Sequence, residues 1–208
     1  MVAVSWNVLY YQGIQKENLA EFELIMLFSP LATIMLAGIF LPAERDLSVF
    51  VAGMVASAAL IASRFRHHHV KISRIAKKTL WAMILLSFES ILIKELLLVF
   101  TPVSLYFVRT AVLAIVFLLM YKPKILSMAK EAFALIIISA IFGVLQMVLK
   151  YYGFQNLGVI ETTMILLMGP FIVYAFSYVY FNEKLYKRDM AAVAVIVLSI
   201  LYVSFWNK

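Results

Sequence analysis

Long apolar runs separated by short polar joints dominate this sequence. Hydrophobic residues make up 65% of the 208 residues and charged residues 14%, whereas a globular domain usually contains about 45–50% and about 25%. A soluble fold of this size has too little interior to bury so much apolar surface, so lipid must surround most of it. We predict an all-α fold, because helices satisfy their own backbone in lipid and no two-residue alternation typical of a membrane barrel occurs.

Seven segments approach the roughly 20 residues that a helix needs to cross the hydrocarbon. They are Phe22–Leu41, Leu47–Ser63, Thr79–Phe100, Pro102–Tyr121, Ala132–Tyr152, Val159–Phe181 and Met190–Trp206. An eighth apolar segment, Val2–Gly13, is shorter, and only Arg64–Lys78 forms a longer polar loop. The sequence therefore predicts a polytopic transmembrane helical bundle with about eight spans.

The chain also contains an internal repeat with a spacing of 140 residues. This offset aligns Tyr11 with Tyr151, Gly13 with Gly153, Glu21 with Glu161 and Pro30 with Pro170, and one residue of slip aligns Glu44 with Glu183. The two proline-containing spans are five crossings apart, an odd number, so equivalent helices cross the bilayer in opposite directions. Such an inverted repeat of five-helix units is typical of secondary transporters. Three spans fall in the first repeat and five in the second repeat.

Three stretches of the chain carry a resemblance to a known family. They are GPFIVYAFSYVYFNEKLYKRDMAAVAVIVLSILYVS, its earlier counterpart SPLATIMLAGIFLPAERDLSVFVAGMVASAALIAS, and SFESILIKELLLVFTPVSLYFVRTAVLAIVFLLM with Lys94, Pro102 and Arg109. Together they resemble the EamA-type family of the drug/metabolite transporter superfamily. The resemblance implies two inverted five-helix halves that move small organic solutes.

The resemblance also suggests how the chain is divided. Residues 1–66 would form a partial first repeat, residues 67–78 a basic connecting loop, and residues 79–208 a complete second repeat. On this interpretation we expect two helices of the first repeat to be absent from these 208 residues. An incomplete transporter half or membrane scaffold that needs a partner chain, or a homodimer, is the alternative.

Basic residues cluster in alternate joints of the chain, which has a net charge of +7. Thirteen lie on one predicted side, including those of the Arg64–Lys78 loop, and only Arg45 and Lys208 lie on the other. The positive-inside rule places the basic side in the cytoplasm of a prokaryotic plasma membrane and both termini outside. The resemblance instead implies an inside C-terminus, so the sequence leaves the orientation open. This distribution gives no reason to expect a nucleic-acid partner.

Charged residues within the spans are the first candidates for a solute pathway, because each costs about 2.5–3.5 kcal/mol to insert. Glu89 and Lys94 can face the pathway or pair with another helix, since five residues is a poor spacing for a pair on one helix. Lys94 is also close enough to a span end to snorkel. Arg109 can bind an anionic solute, although pairing with Glu89 or Glu95 is favoured.

Further pathway candidates are Gln146, Tyr151, Glu161 and Tyr174. Glu161 and its repeat mate Glu21 can carry protons, but stabilisation at a helix N-terminus is the favoured interpretation. Pro30 and Pro170 are predicted hinges, because proline interrupts the helical hydrogen bonds.

The same sequence speaks against an enzyme and a cofactor. It contains no cysteine, no phosphate-binding loop and no nucleophile–base arrangement. The triplet His67–His69 is unsuited to a metal, since consecutive helical residues point in different directions. We therefore expect a secondary transporter of small metabolites that works by alternating access, with lipid and solute as its partners. Proton coupling stays open, and an intramembrane lipid-modifying enzyme is the least favoured alternative.

Overall fold

A computed structural model describes residues 1–16, 22, 25–64, 74–122, 130–169, 171–172, 176 and 187–206. Every regular element within these ranges is helical, which confirms the predicted all-α fold. The helices are α1 (Val2–Lys16), α2 (Ser29–Phe40), a 3₁₀ helix (Pro42–Glu44), α3 (Leu47–Arg64), α4 (Arg74–Leu96), α5 (Pro102–Tyr121), α6 (Lys130–Asn156), α7 (Val159–Leu166) and α8 (Lys187–Trp206).

The helix bounds differ from the predicted spans where the chain leaves the hydrocarbon. Helix α4 already begins at Arg74, inside the predicted connecting loop, and α6 continues to Asn156 through the predicted joint at Gly153. A charged or glycine-containing turn can extend a helix into the head-group region, where apolar content no longer marks its end. Helix α5 matches its predicted span, because Thr101 caps the amide of Ser104 and Pro102 occupies the first turn.

The backbone divides into two compact units. One comprises Met1–Leu92 together with Leu157–Lys208, and the other comprises Ile93–Asn156. The first unit contains α1, α2, α3, α7, α8 and most of α4, and the second contains α5, α6 and the end of α4.

The core of the first unit lies between α3 and α8. Ala56 and Leu60 of α3 pack with Ala192 and Ile196 of α8, and Phe171 joins the same cluster. Small residues allow the two backbones to approach closely, which is the usual basis of helix association in lipid. Next to this core, α2, α3 and α7 meet at Gly53, where a Cβ atom would lie 3.0 Å from Ile160 and 3.1 Å from Ile34.

The second unit is much less buried. Among the described residues, Pro102–Tyr121 and Glu131–Asn156 are the two helices whose length and composition suffice to cross a membrane. Shorter apolar helices cover Ser29–Phe40, Leu47–Ser63 and Met190–Phe205. The large side chains of α5 and α6 are mostly exposed, among them Phe107 and Phe142, which suits contact with lipid tails.

Two helical segments are interrupted in the same way, 140 residues apart. Turns occur at Leu27–Phe28 and at Leu167–Met168, so the predicted span Val159–Phe181 is not one continuous helix. Phe28 N donates to Ile25 O at 3.1 Å, and Met168 N donates to Ile165 O at 3.1 Å. The next bonds also correspond, since Ala32 N donates to Phe28 O and Ile172 N donates to Met168 O.

The first interruption has a direct cause in Pro30. Proline has no amide hydrogen, so the carbonyl of Met26 lacks the donor that a continuous helix would supply. Helix α2 therefore starts afresh at Ser29, with Pro30 in its first turn, where no intrahelical donor is needed. The corresponding Pro170 lies outside the described residues.

The close packing at Gly53 can be tested by substitution. Gly53→Leu is expected to lower the stability of the purified protein by about 1–3 kcal/mol, because it overpacks the contact with Ile160 and Ile34. Gly143→Leu is the matched control, since a Cβ atom there would meet nothing within 4 Å. Thermal unfolding followed by fluorescence-detected size exclusion measures both. Equal melting temperatures for the two variants would contradict this packing.

Candidate functional site

Glu89 is a buried acid on α4. Its side chain is only 5% exposed, and its Oε2 accepts a hydrogen bond from Nε1 of Trp6 on α1 at 2.6 Å. Ser87 and Ser90 beside it are also buried, and Ser87 Oγ donates to the carbonyl of Met83. Because a buried acid is expensive in lipid, this polar stretch of α4 is the first place to look for function.

Trp6 is held in place by an aromatic group on the first unit. Its ring lies 5.9 Å from that of Tyr10, and Tyr10 lies 5.0 Å from Phe22, in both cases nearly edge to face. Trp6 itself is 8% exposed. Sequence reasoning did not select Trp6, although an indole N–H inside an apolar run needs an acceptor when it is buried. That requirement was the available signal.

Lys94 lies at the end of the same helix but in the second unit. Its Nζ donates to the carbonyl of Phe154 at 2.6 Å and to that of Gln155 at 3.4 Å. These carbonyls belong to the last turn of α6, where helical donors run out and the helix dipole favours a cation. Gln155 in turn approaches the carbonyl of Leu97, with Nε2 at 3.4 Å. Lys94 thus satisfies a helix end.

The remaining candidates of the second unit lie on α5 and α6. Tyr151 is 1% exposed, and its ring lies 6.2 Å from that of Tyr106, edge to face. Arg109 is half-buried on α5, whereas Gln146 is exposed on α6. The structure therefore gathers Tyr106 and Tyr151 into one aromatic contact.

Glu161 occupies the first turn of α7 and is half-buried. It lines a small cavity with Met164 and Ile200. The first two amides of α7 are bound by a different acid, Glu44, whose carboxylate reaches both Val159 N and Ile160 N. The sequence singled out Glu44 only as the repeat counterpart of Glu183, and the structure shows that it caps a helix 115 residues away.

Several predicted residues lie outside the described part of the chain. They are Glu21, Pro170, Tyr174, Glu183 and the triplet His67–His69. Their predictions stay predictions.

The Trp6–Glu89 bond can be tested without changing the acid. Trp6→Phe keeps an aromatic ring but removes the N–H donor, so we expect a loss of about 1–3 kcal/mol in stability. The control is Trp81→Phe, because Trp81 is also a tryptophan of a helix, α4, but its side chain is 59% exposed. Thermal unfolding in detergent compares the two. An equal effect of both substitutions would contradict a buried bond at Trp6.

The helix-end contact of Lys94 predicts a second stability effect. Lys94→Met keeps much of the side-chain length but leaves the carbonyls of Phe154 and Gln155 without the cation. The expected loss is about 1–2 kcal/mol. Lys122→Met provides the control, since Lys122 is exposed after the end of α5. A variant of Lys94 as stable as this control would show that the contact contributes nothing.

Comparison with known protein families identifies one match. A profile described as the EamA-like transporter family matches residues 78–205, which is more than half of the chain. No curated protein and no solved structure gave a significant match. The matched range includes the buried acid of α4, the helix-end lysine and the whole of α5 to α7. The chain therefore belongs to the EamA-like transporter family, as its motifs predicted.

Proposed function

We propose that this chain is a secondary transporter that moves small organic metabolites by alternating access between two inverted repeats. Its family consists of membrane transporters of small solutes, and the proposal adds a mechanism and a site. A polar or zwitterionic solute such as an amino acid fits best, because the candidate pathway contains acidic residues as well as an arginine. The observation that carries the proposal is the buried carboxylate of Glu89.

The repeat is supported by the backbone as well as by the sequence. The turns at Leu27–Phe28 and Leu167–Met168 are 140 residues apart, as are the hydrogen bonds that flank them. The backbone is thus interrupted at the same offset as the matched side chains, which agrees with duplication. Repeats of this kind let one design build both faces of a transporter.

The predicted crossings are supported by long-range contacts within the first unit. Lys78 Nζ donates to Gln12 Oε1, and Arg188 donates to the carbonyl of Ser63. Lys78 and Arg188 lie in joints predicted on the basic side, and Gln12 and Ser63 lie near the adjoining ends of predicted apolar segments. Glu44 binds the amide of Val159, and both fall on the other side. An error of one crossing would place such partners on opposite faces of the bilayer. The contacts therefore support an odd number of crossings between the proline-containing spans, as the inverted arrangement requires.

Glu89 is the residue that we assign to the solute or to a coupled proton. It lies at the centre of the predicted span Thr79–Phe100, which corresponds to the bilayer midplane, where transporters of this kind bind their substrates. Trp6 donates a hydrogen bond from its neutral indole N–H to this carboxylate. We propose that a solute ammonium group or a proton interacts with the same buried acid during transport.

The other candidates have different parts in the proposal. Arg109, Gln146, Tyr151 and Tyr174 are proposed to contact solute, and Glu161 to carry a proton or simply to stabilise α7. Lys94 is proposed to position the end of α6, because its Nζ is engaged by two carbonyls.

Uptake into proteoliposomes tests the proposal. Wild type is expected to accumulate labelled amino acids or related metabolites, with a rate that depends on an imposed pH gradient if a proton is coupled. Glu89→Gln is expected to reduce uptake by at least about tenfold, which corresponds to about 1.4 kcal/mol. Glu131→Gln is the matched control, since Glu131 is an exposed acid in the first turn of α6.

The variants separate the parts of this proposal. Full activity of Glu89→Gln would remove Glu89 from the transport site. Loss of the pH-gradient effect in Glu161→Gln, with uptake retained, would assign the proton to α7 instead of α4. Failure of every tested solute class to accumulate with wild type would contradict the amino-acid-like substrate.

A further inference from the structure

A distant carboxylate supplies the cap of α7. Glu44 Oε1 accepts from Val159 N at 2.5 Å, and its Oε2 accepts from Ile160 N at 2.8 Å. The first amides of a helix have no intrahelical acceptor, and the helix dipole favours an anion beside them. Such caps normally come from the residue that precedes the helix. Here that residue is Gly158, which has no side chain to offer.

Gly158 leaves the space that Glu44 occupies. A Cβ atom on Gly158 would lie 2.9 Å from Oε1 of Glu44 and 3.1 Å from its Cδ. Gly158 also has a φ of +94°, a conformation that other residues rarely adopt. The glycine and the acid are therefore matched across 114 positions of the chain, as expected for a contact that the fold specifically accommodates.

The turn that carries Glu44 also has hydrogen bonds of its own that do not involve α7. Arg45 donates to the carbonyl of Ile39 at 2.9 Å, and Asp46 accepts from the amide of Ser48 at 2.8 Å at the start of α3. Leu41 at its base is 2% exposed. The corner between α2 and α3 thus has hydrogen bonds that do not involve α7. These bonds can stay intact when the carboxylate of Glu44 separates from the α7 amides.

The two sides of this contact come from different repeats. Glu44 follows α2 in the first repeat, and α7 belongs to the second, so alternating access requires contacts of this type to break on the side that opens. The packing of Ile160 and Ile34 around Gly53 is apolar and has no directional bonds. The two hydrogen bonds to the Glu44 carboxylate are directional and are either made or broken.

From these observations we propose that Glu44 is a latch, and this inference rests on the proposed transport function. The carboxylate holds the N-terminus of α7 against the α2–α3 corner on the side opposite the basic loops. Release of the two amides accompanies opening of that side. In the structure both hydrogen bonds from α7 to Glu44 are formed, so the latch is closed.

Cysteine accessibility can detect the latch directly, because the chain contains no cysteine of its own. One reporter is Thr163→Cys, 6% exposed and one turn inside the latch on α7; the other is Ser63→Cys, 3% exposed at the far end of α3. Each is combined with Glu44→Gln, which removes the charge and one of the two acceptor oxygens. Glu131→Gln is the charge-matched control. Labelling by N-ethylmaleimide is followed in membrane vesicles without added solute.

The latch predicts opposite changes at the two reporters. Glu44→Gln is expected to raise the labelling rate at position 163 about three- to tenfold and to lower it at position 63, while Glu131→Gln leaves both rates unchanged. A parallel rise at both positions would mean that Glu44 is a permanent brace, and no change at either would mean that the bonds do not limit opening. Both results overturn the proposal.

A second variant keeps the test decisive if Glu44→Gln accumulates poorly. Glu44→Asp retains the charge but is one methylene too short to reach both amides, and it is expected to shift both reporters in the same directions by a smaller factor. Labelling needs no solute, so its outcome is independent of uptake. Opposite shifts in labelling without measurable uptake would support the latch and contradict the transport function. Normal uptake without shifts in labelling would support the transport function and contradict the latch.

Discussion

The first amides and the last carbonyls of a helix have no partner within that helix, and the joints of this chain are organised around that constraint. The end of α6 exposes carbonyls, and Lys94 donates to two of them. The start of α7 exposes amides, and Glu44 accepts from two of those. Each helix end thus has a charge of the sign that its dipole favours. Lys94, a predicted pathway residue, and Glu44, a residue of the repeat, therefore both stabilise helix ends.

The helices divide into two kinds according to the side chains they carry. Helices α3 and α8 pack through Ala56 and Ala192 together with the larger Leu60 and Ile196, and the two alanines allow close contact. Helices α5 and α6 carry large, exposed aliphatic and aromatic side chains such as Ile141 and Phe107. The two pairs of helices therefore differ in how much of their apolar surface is covered by other parts of the protein.

The sequence allowed the all-α fold and the family to be predicted, because these depend on composition and local spacing. Pro102–Tyr121 was predicted correctly since a proline and a basic residue mark its ends. The partners could not be predicted in the same way. Trp6 and Glu89 are 83 positions apart, and Glu44 and Val159 are 115 apart, so no periodicity relates them. The pathway assignments of Arg109, Gln146 and Glu161 stay predictions, because they concern contacts with a bound solute.

The partners of Glu44 and Lys94 also bear on how the molecule could move. A buried ion pair between the repeats would be costly to separate, because each charge would be left without its counter-charge in a medium of low dielectric constant. A hydrogen bond between a charge and a neutral group contributes only about 1.5–3 kcal/mol. Glu44 meets two neutral amides, and at the water boundary of the bilayer those amides and the acid can both be hydrated after they part. Contacts of this strength hold one conformation at rest and still exchange rapidly, which is the compromise that alternating access demands.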